Sequence, residues 1–165
     1  MKLLYHGTGV GSALQIAVDG AILCPWEQEI KRIKAIERFR NLSTQELEEM
    51  VLKHASSVYA DHEVGHRVMA ISLAPSLSAS RDYATHFEQF PSTGGGVILG
   101  FEADRTLLSR IPEDWEKRMV VYIPRKMEIE NLKEIYLFPI ARAYDSVIRE
   151  AFAKYNPQMF HFREV

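Results

Sequence analysis

The run Leu3-Leu4-Tyr5-His6-Gly7-Thr8-Gly9 sets the expectation for the whole fold. Its apolar start predicts a short β-strand, which the glycines and polar residues that follow interrupt. Apolar side chains then recur at helical spacing as far as Asp19-Gly20. Gly20 predicts the end of this helix, because glycine readily adopts the left-handed conformation found at helix C-termini. The chain is therefore expected to begin as strand, turn and helix.

Two amphipathic helices are expected next. Within residues 26–40, apolar side chains occur at every third position: Ile30, Ile33, Ile36 and Phe39. Charged residues lie between them, which is typical of an amphipathic helix. Ser43-Thr44-Gln45-Glu46 has the Ser-x-x-Glu form of a capping box, which predicts a second helix to about residue 59. Together the two helices predict a helical hairpin from about residue 26 to 60.

The second half of the chain changes to short apolar runs. The runs at 68–73, 97–101, 119–123 and 135–138 predict buried strands. Ser80 is expected to cap a short helix that carries Tyr83, and residues 141–155 predict a last helix ended by Asn156-Pro157. Four strands after a mostly helical half predict an α+β fold.

Composition limits the class of protein. The chain has 165 residues, of which 47% are hydrophobic and 25% charged, so we expect one globular domain over residues 1–165. A net charge of -2 gives the whole chain no electrostatic footprint for nucleic acid or membranes. The lone cysteine, Cys24, fits a reducing compartment, and no apolar run approaches the roughly 20 residues of a membrane span. The sequence therefore predicts a cytoplasmic protein without a membrane partner.

Three elements occur in a telling order: His6-Gly7-Thr8 on the first strand, Ser80-x-x-Tyr83 after the strand at 68–73, and a carboxylate near the strand at 119–123. In this order they resemble the ADP-ribosyltransferase superfamily, in its His-Tyr-Glu branch with a His-Gly-Thr first motif. The resemblance covers roughly residues 3 to 138, and the chain is similar to compact bacterial and phage members of the superfamily. It implies an α+β fold with an antiparallel-rich split sheet, flanking helices and the helical hairpin as an insertion.

The resemblance also implies a chemistry in which NAD is consumed as a substrate and no metal is needed. His6 would hydrogen-bond an adenosine ribose hydroxyl, and the backbone of Gly7 would pair with the nicotinamide carboxamide. Thr8 completes this NAD-binding motif. Tyr83 would stack on the nicotinamide ring, and Ser80 would help to hold the carboxamide. A carboxylate would stabilise the oxocarbenium-like ribosyl cation that forms when nicotinamide leaves.

Two glutamates compete for the carboxylate role. The resemblance places it at or just before the penultimate strand, which favours Glu116, although a strict match falls on Arg118 or Met119. An earlier start of the strand would put Glu116 and Arg118 on one face by the period of two. Glu134 is the alternative, one strand later in the sequence.

The resemblance implies a macromolecular acceptor, either DNA, RNA or protein, and a role as a toxin or defence effector with an antidote or immunity protein as a further partner. A basic group on the first hairpin helix would suit a nucleic-acid acceptor: Lys31, Arg32, Lys34, Arg38 and Arg40. The same residues are also typical of a solvated helix face, with Glu27, Glu29 and Glu37 as ion-pair partners.

Other functions remain open at this point. His62-Glu63-Val64-Gly65-His66 matches the zinc-hydrolase pattern His-Glu-x-x-His, although charged neighbours and the missing third ligand argue against it. RNA 2′-phosphotransferases share a His-Gly-Thr core but need arginines around the phosphate, for which Arg81 is the candidate near the second motif. A catalytically silent module that binds NAD or nucleic acid is the remaining alternative.

Overall fold

The computed structural model describes residues 1–36, 41–43, 45–47, 49, 70–89, 94–155 and 161–164. The strands are β1 Leu3–Gly9, β2 Ala21–Leu23, β3 Ala70–Leu73, β4 Gly96–Glu102, β5 Val121–Pro124, β6 Lys126–Glu128, β7 Leu132–Leu137 and β8 His161–Glu164. The α-helices are α1 Val10–Asp19, α2 Pro25–Lys34, α3 Leu77–Glu88, α4 Arg105–Leu108 and α5 Asp145–Phe152. Short 3-10 helices span Trp115–Lys117, Ile129–Asn131 and Ala141–Tyr144.

The main sheet has the strand order β1-β4-β7-β8. The first three strands pair antiparallel, and β8 joins β7 in parallel. Two smaller sheets pair β2 with β6 and β3 with β5. This antiparallel-rich, divided sheet with flanking helices confirms the expected α+β fold.

Strand register assigns each residue of β1 to one of the two faces of the main sheet. His6 lies opposite Leu99, and this face carries fully buried aliphatic and aromatic side chains: Leu4, Val97, Leu99, Phe101 and Ile135. Gly7 lies opposite Ile98 on the other face, where Ile98 clusters with Ala84 of α3. Because side chains alternate along a strand, His6 and Gly7 point to opposite faces.

The chain divides into two compact units. The first comprises Met1–Ala21, Ser72–Val121 and Glu128–Val165, and the second comprises Ile22–Ile71 and Tyr122–Met127. The expectation of a single domain over residues 1–165 stays a prediction. Every described residue of the candidate site belongs to the first unit.

Several local predictions are confirmed. Gly20 ends α1 in the left-handed conformation, with φ of 69°. The capping box forms as expected, because the Ser43 amide donates to the Glu46 carboxylate at 2.7 Å and the Glu46 amide donates to the Ser43 hydroxyl at 3.2 Å. The strands predicted at 97–101 and 135–138 are β4 and β7, each longer than expected.

Other local predictions are wrong. Ser76, and not Ser80, caps α3, because the Ser76 hydroxyl accepts from the Ala79 amide at 3.2 Å. The strand predicted at 119–123 begins only at Val121. The last helix begins with a 3-10 turn and is α-helical only over α5. The sequence gives no expectation of β6 or β8.

Some predictions fall outside the described residues. These are most of the second hairpin helix, the first two residues of the strand at 68–73, and Asn156-Pro157. The first hairpin helix, predicted over residues 26–40, is present as α2 but ends at Lys34, before Ile36. On α2, Arg32 pairs with Glu29 as the solvated-face interpretation expects. Among the described residues, no helix combines the length and the apolar character that crossing a bilayer requires.

Candidate active site

Strand β1 and helix α3 approach each other closely at Gly7. A Cβ atom at Gly7 would lie 2.9 Å from the Ser80 carbonyl oxygen and 3.2 Å from the Ala84 amide nitrogen. Gly96 on β4 lies closer still to the helix, because a Cβ there would be 2.6 Å from the Ala84 carbonyl oxygen. Glycine at both strand positions therefore lets the helix backbone lie directly on the sheet.

The backbone of Gly7 is directed to the outer edge of β1. On this edge Tyr5 exchanges two hydrogen bonds with Ala74, at 2.9 and 2.7 Å, so the amide and carbonyl of Tyr5 point away from β4. Backbone groups two residues apart on a strand point to the same side, so the N–H and C=O of Gly7 share this direction. Within the described part of the chain, neither group has a backbone hydrogen-bond partner.

The Ser80 hydroxyl lies beside Gly7. Ser80 is buried, and its Oγ would be 3.3 Å from a Cβ at Gly7. This Oγ has no hydrogen-bond partner among the described residues. A buried polar group without a partner costs ~1–3 kcal/mol, which a ligand with a complementary group would recover. One donor and one acceptor on Gly7, together with the hydroxyl of Ser80, match the donors and acceptor of a planar amide.

Tyr83 follows Ser80 by three residues on α3, so the two side chains are neighbours on the helix surface. The Tyr83 side chain is 59% exposed, and its ring tilts against Phe87 with ring centroids 6.0 Å apart. An exposed aromatic face beside the backbone edge of Gly7 can stack on a planar heterocycle. The structure therefore brings Gly7, Ser80 and Tyr83 together.

His6 and Thr8 lie on the opposite face of β1 from α3. The Nδ1 atom of His6 donates to the carbonyl oxygen of Ser72 at 3.0 Å, which leaves Nε2 of the neutral ring as an acceptor. Burial lowers the pKa of His6 below its ordinary value of 6.5, and the hydrogen bond to Ser72 offsets part of this effect. Thr8 is buried in the same row as Val97.

This lowered pKa predicts a pH dependence of stability. Because the unfolded chain binds the His6 proton more readily than the folded chain, the contribution of His6 is complete above pH 6.5. It is lost as the pH falls below 6.5 toward the folded pKa. Urea unfolding between pH 8 and pH 5 should therefore show a steeper loss of stability for the wild type than for His6→Asn. Parallel curves for the two proteins would contradict a neutral, partly buried His6.

Glu116 does not lie on a strand. It belongs to the 3-10 helix Trp115–Lys117, so the expected strand with Glu116 and Arg118 on one face is wrong. Its side chain is 52% exposed and pairs with Lys2 at 2.5 Å. Lys2 precedes His6 by four residues, roughly 13 Å along an extended chain. The structure therefore does not bring Glu116 together with Gly7 and Ser80.

Glu134 lies on β7, in the row that joins Tyr5 of β1 and Gly100 of β4. Two strand spacings separate Tyr5 from Glu134, about 10 Å between their Cα atoms. Gly100 lies between them, and a Cβ there would be 3.3 Å from Cε1 of the Tyr5 ring and 3.4 Å from the Glu134 Cβ. Glu134 is 9% exposed and faces the same side of the sheet as Gly7 and α3.

Two side chains hold the Glu134 carboxylate. The Tyr136 hydroxyl donates to Oε2, and the Arg163 Nε donates to Oε1 at 2.9 Å. Burial, and next the hydrogen bond to Glu134, raise the pKa of Tyr136 far above its ordinary value, so its hydroxyl keeps its proton. Burial and the Glu134 charge also raise the pKa of Tyr5, whose ring packs edge-on against Tyr136. The carboxylate therefore accepts from fixed donors on this face.

The sequence motifs include Tyr5 without a role of its own, and they do not include Tyr136 or Arg163. The available signal was the period of two along β7, because Glu134 and Tyr136 both point out of the aliphatic run that Ile135 and Leu137 define. No comparable signal marks Arg163, whose position depends on the pairing of β8 with β7.

The zinc-hydrolase residues His62, Glu63 and His66 lie outside the described residues, so that alternative stays a hypothesis. In the described part of the chain, no group of three or more His, Cys, Asp and Glu side chains could hold a metal ion.

Comparison with known proteins supports the fold. DarT of Thermus sp. 2.9 in complex with NAD+ matches with a TM-score of 0.53 and 9% identity, over 99% of this chain and 95% of that chain. DarT of Thermus sp. 2.9 in complex with ADP-ribosylated ssDNA matches with a TM-score of 0.53 and 10% identity, over 99% and 92% of the two chains. Thermosipho africanus DarTG in complex with ADP-ribose matches with a TM-score of 0.47 and 16% identity, over 100% of this chain and 50% of that chain. No family profile and no curated protein matches the sequence. The chain thus shares the fold of DarT, an ADP-ribosyltransferase.

Proposed function

We propose that this chain transfers ADP-ribose from NAD to single-stranded DNA and releases nicotinamide. The observation that carries the proposal is the outer backbone edge of Gly7 beside the Ser80 hydroxyl, which lacks a partner among the described residues, with Ser80 on the same sheet face as the buried carboxylate of Glu134. A nicotinamide needs an amide reader, and its departure needs negative charge near the ribose.

The carboxamide binds at Gly7 and Ser80. The Gly7 N–H donates to the carboxamide oxygen, and the Gly7 carbonyl accepts from the carboxamide nitrogen. The Ser80 hydroxyl supplies a further hydrogen bond and thereby gains the partner that its buried Oγ lacks among the described residues. Tyr83 stacks on the pyridinium ring, because its exposed face lies about one helical turn from Ser80. A contact between His6 and an adenosine ribose hydroxyl stays a prediction from the sequence, since His6 lies on the opposite face of β1 from Ser80 and Glu134.

Glu134 supplies the catalytic carboxylate in this proposal. The bond between the ribose C1′ and the nicotinamide nitrogen breaks, and its electron pair leaves with neutral nicotinamide. Glu134 stabilises the positive charge that develops on the ribose, as carboxylates do in glycosidases. The acceptor then bonds to C1′, and the proton that it loses passes to Glu134 or to solvent. Glu116 is a poorer candidate because it is exposed, paired with Lys2 and on a separate turn.

Single-stranded DNA is the favoured acceptor because a protein of the same fold has been captured with ADP-ribosylated ssDNA. Arg81 lies exposed on α3, next to Ser80, where a phosphate group of the acceptor could pair with it. RNA and protein acceptors are alternative outcomes of the test. A toxin role and an antidote partner stay predictions from the sequence resemblance.

The acceptor test uses NAD labelled in its adenylate group. The protein is incubated with label and with one of four acceptors: single-stranded DNA, double-stranded DNA, RNA or a protein extract. We expect label only in single-stranded DNA, resistant to protease and released by nuclease. Label in RNA or in protein would identify that polymer as the acceptor in place of single-stranded DNA. Nicotinamide release without labelled polymer would contradict transfer.

Two serines on α3 provide a matched pair for the NAD site. Ser80→Ala removes the buried hydroxyl, whereas Ser78→Ala removes an exposed one on the same helix. In the labelling assay only Ser80→Ala should need a higher NAD concentration, by roughly two- to ten-fold for one lost hydrogen bond. Equal behaviour of the two variants would count against carboxamide binding at Ser80.

A further inference from the structure

The Glu134 carboxylate has a donor at each oxygen, and one of these donors comes from the last described strand. Arg163 on β8 donates from Nε to Oε1 at 2.9 Å, while Tyr136 occupies Oε2. The Arg163 side chain is 52% exposed, whereas that of Glu134 is 12% exposed. The ion pair therefore joins a buried acid to a half-exposed base.

The placement of Arg163 is set by backbone and side-chain contacts of β8. Parallel pairing with β7 puts Arg163 opposite Tyr136, so the two side chains lie on the same face of the sheet. The next residue back, Phe162, carries the guanidinium of Arg149 4.1 Å above its ring centre. This contact attaches β8 to α5 and contributes to the position of the strand.

We propose that Arg163 is a positioning residue for the catalytic carboxylate: with Tyr136 it fixes the orientation of Glu134 toward the ribose of NAD. This inference rests on the proposed function. An arginine suits the task because its guanidinium is always charged and planar, and directs its N–H groups in fixed directions.

Two fixed donors leave the carboxylate with one orientation. Each carboxylate oxygen has a second acceptor direction, so Glu134 can still face a cation or a hydroxyl after both bonds are made. Without Arg163, Oε1 loses its fixed donor and the carboxylate can rotate about its side-chain bonds. A misplacement of about 1 Å at a reacting group can cost about 10²-fold in rate. Because Arg163 acts through Glu134, the loss should fall on kcat and leave the KM for NAD nearly unchanged.

The test compares Arg163→Gln with Arg118→Gln. Arg118 pairs with Asp114 at the same distance, 2.9 Å, and is 48% exposed, which makes it a control for the loss of a half-exposed arginine ion pair. We expect nicotinamide release with a kcat reduced about 10²-fold in Arg163→Gln and unchanged in Arg118→Gln. Arg163→Lys should restore part of kcat, because lysine keeps the charge but not the planar geometry.

Two further measurements separate positioning from a structural role. Thermal unfolding of the Gln and Lys variants identifies any loss of folding, and Arg163→Lys carries the test if Arg163→Gln does not fold. In a Glu134→Gln background, Arg163→Gln should cause no further loss of kcat, because both changes act through one group.

The possible failures can be told apart. If the wild type turns over NAD and folded Arg163→Gln retains its kcat, Arg163 does not position Glu134 while the proposed function stands. If Arg163→Gln lowers kcat by the same factor in the Glu134→Gln background as in the wild type, the inference is also overturned. If the wild type releases no nicotinamide, the proposed function fails and this inference fails with it.

Discussion

Glu134→Gln should reduce nicotinamide release by about 10³-fold while the protein still binds NAD. The substitution keeps the shape of the side chain but removes the negative charge opposite the developing ribosyl cation, a type of loss that costs about 10²–10³-fold in kcat. In the proposed function, ground-state binding of NAD depends on the Gly7 edge, Ser80 and Tyr83, so the NAD dissociation constant should change little. Steady-state kinetics and calorimetry of the same preparations measure both quantities.

Glu116→Gln is the matched control, since it makes the same chemical change at an exposed ion pair with Lys2. An exposed pair contributes only ~0–1 kcal/mol to stability, and we expect turnover close to that of the wild type. If Glu116→Gln is the inactive variant and Glu134→Gln is active, the assignment of the carboxylate is wrong. If both variants are active, the chemistry does not depend on either carboxylate.

Gly7→Ala should impair both folding and NAD binding. The new Cβ would lie 2.9 Å from the backbone carbonyl oxygen of Ser80, so strand β1 and helix α3 must separate. Forcing one extra carbon into a close-packed contact typically costs 1–3 kcal/mol, so we expect the free energy of unfolding to fall by about that amount. The separation also moves the Gly7 N–H away from the Ser80 hydroxyl, so NAD affinity should fall about ten-fold or more in the folded fraction.

Gly11→Ala is the control for a glycine without close neighbours. Gly11 lies in α1, and a Cβ there would meet nothing within 4 Å. Alanine is favoured over glycine in a helix by roughly 0.5–1 kcal/mol, so this variant should be as stable as the wild type or more stable. Chemical unfolding measures the stability of the two variants, and NAD titration measures their affinity for NAD. Equal stability of Gly7→Ala and the wild type would contradict the close approach of β1 and α3.

Local sequence patterns predicted the parts of the fold that depend on neighbouring residues. Gly20 ends α1 and Ser43 caps its helix as expected, because a helix end is determined within one turn of the chain. The buried strands β4 and β7 were found from their continuous apolar runs. The juxtaposition of Gly7 and Ser80 was expected only from the order of motifs, and the structure places them in contact.

The remaining features depend on pairings between distant segments. Whether Glu116 or Glu134 faces α3 depends on strand register, which a sequence without pairing information does not reveal. Trp115 is buried, while Glu116 beside it pairs with Lys2. The 3-10 turn that holds both residues is too short to produce a periodic pattern of apolar residues in the sequence. Arg163 meets Glu134, 29 positions earlier in the chain, because β8 joins the sheet in parallel, and this strand pairing is non-local. The capping role went to Ser76 because Ser80 faces the sheet one turn later.

The most direct test is the mass of a synthetic single-stranded DNA oligonucleotide after incubation with the protein and NAD. The proposed function predicts a gain of one ADP-ribosyl group per modified strand, with an equal amount of nicotinamide released, and neither product with Glu134→Gln. An oligonucleotide of unchanged mass, with or without free ADP-ribose in solution, would contradict transfer to DNA.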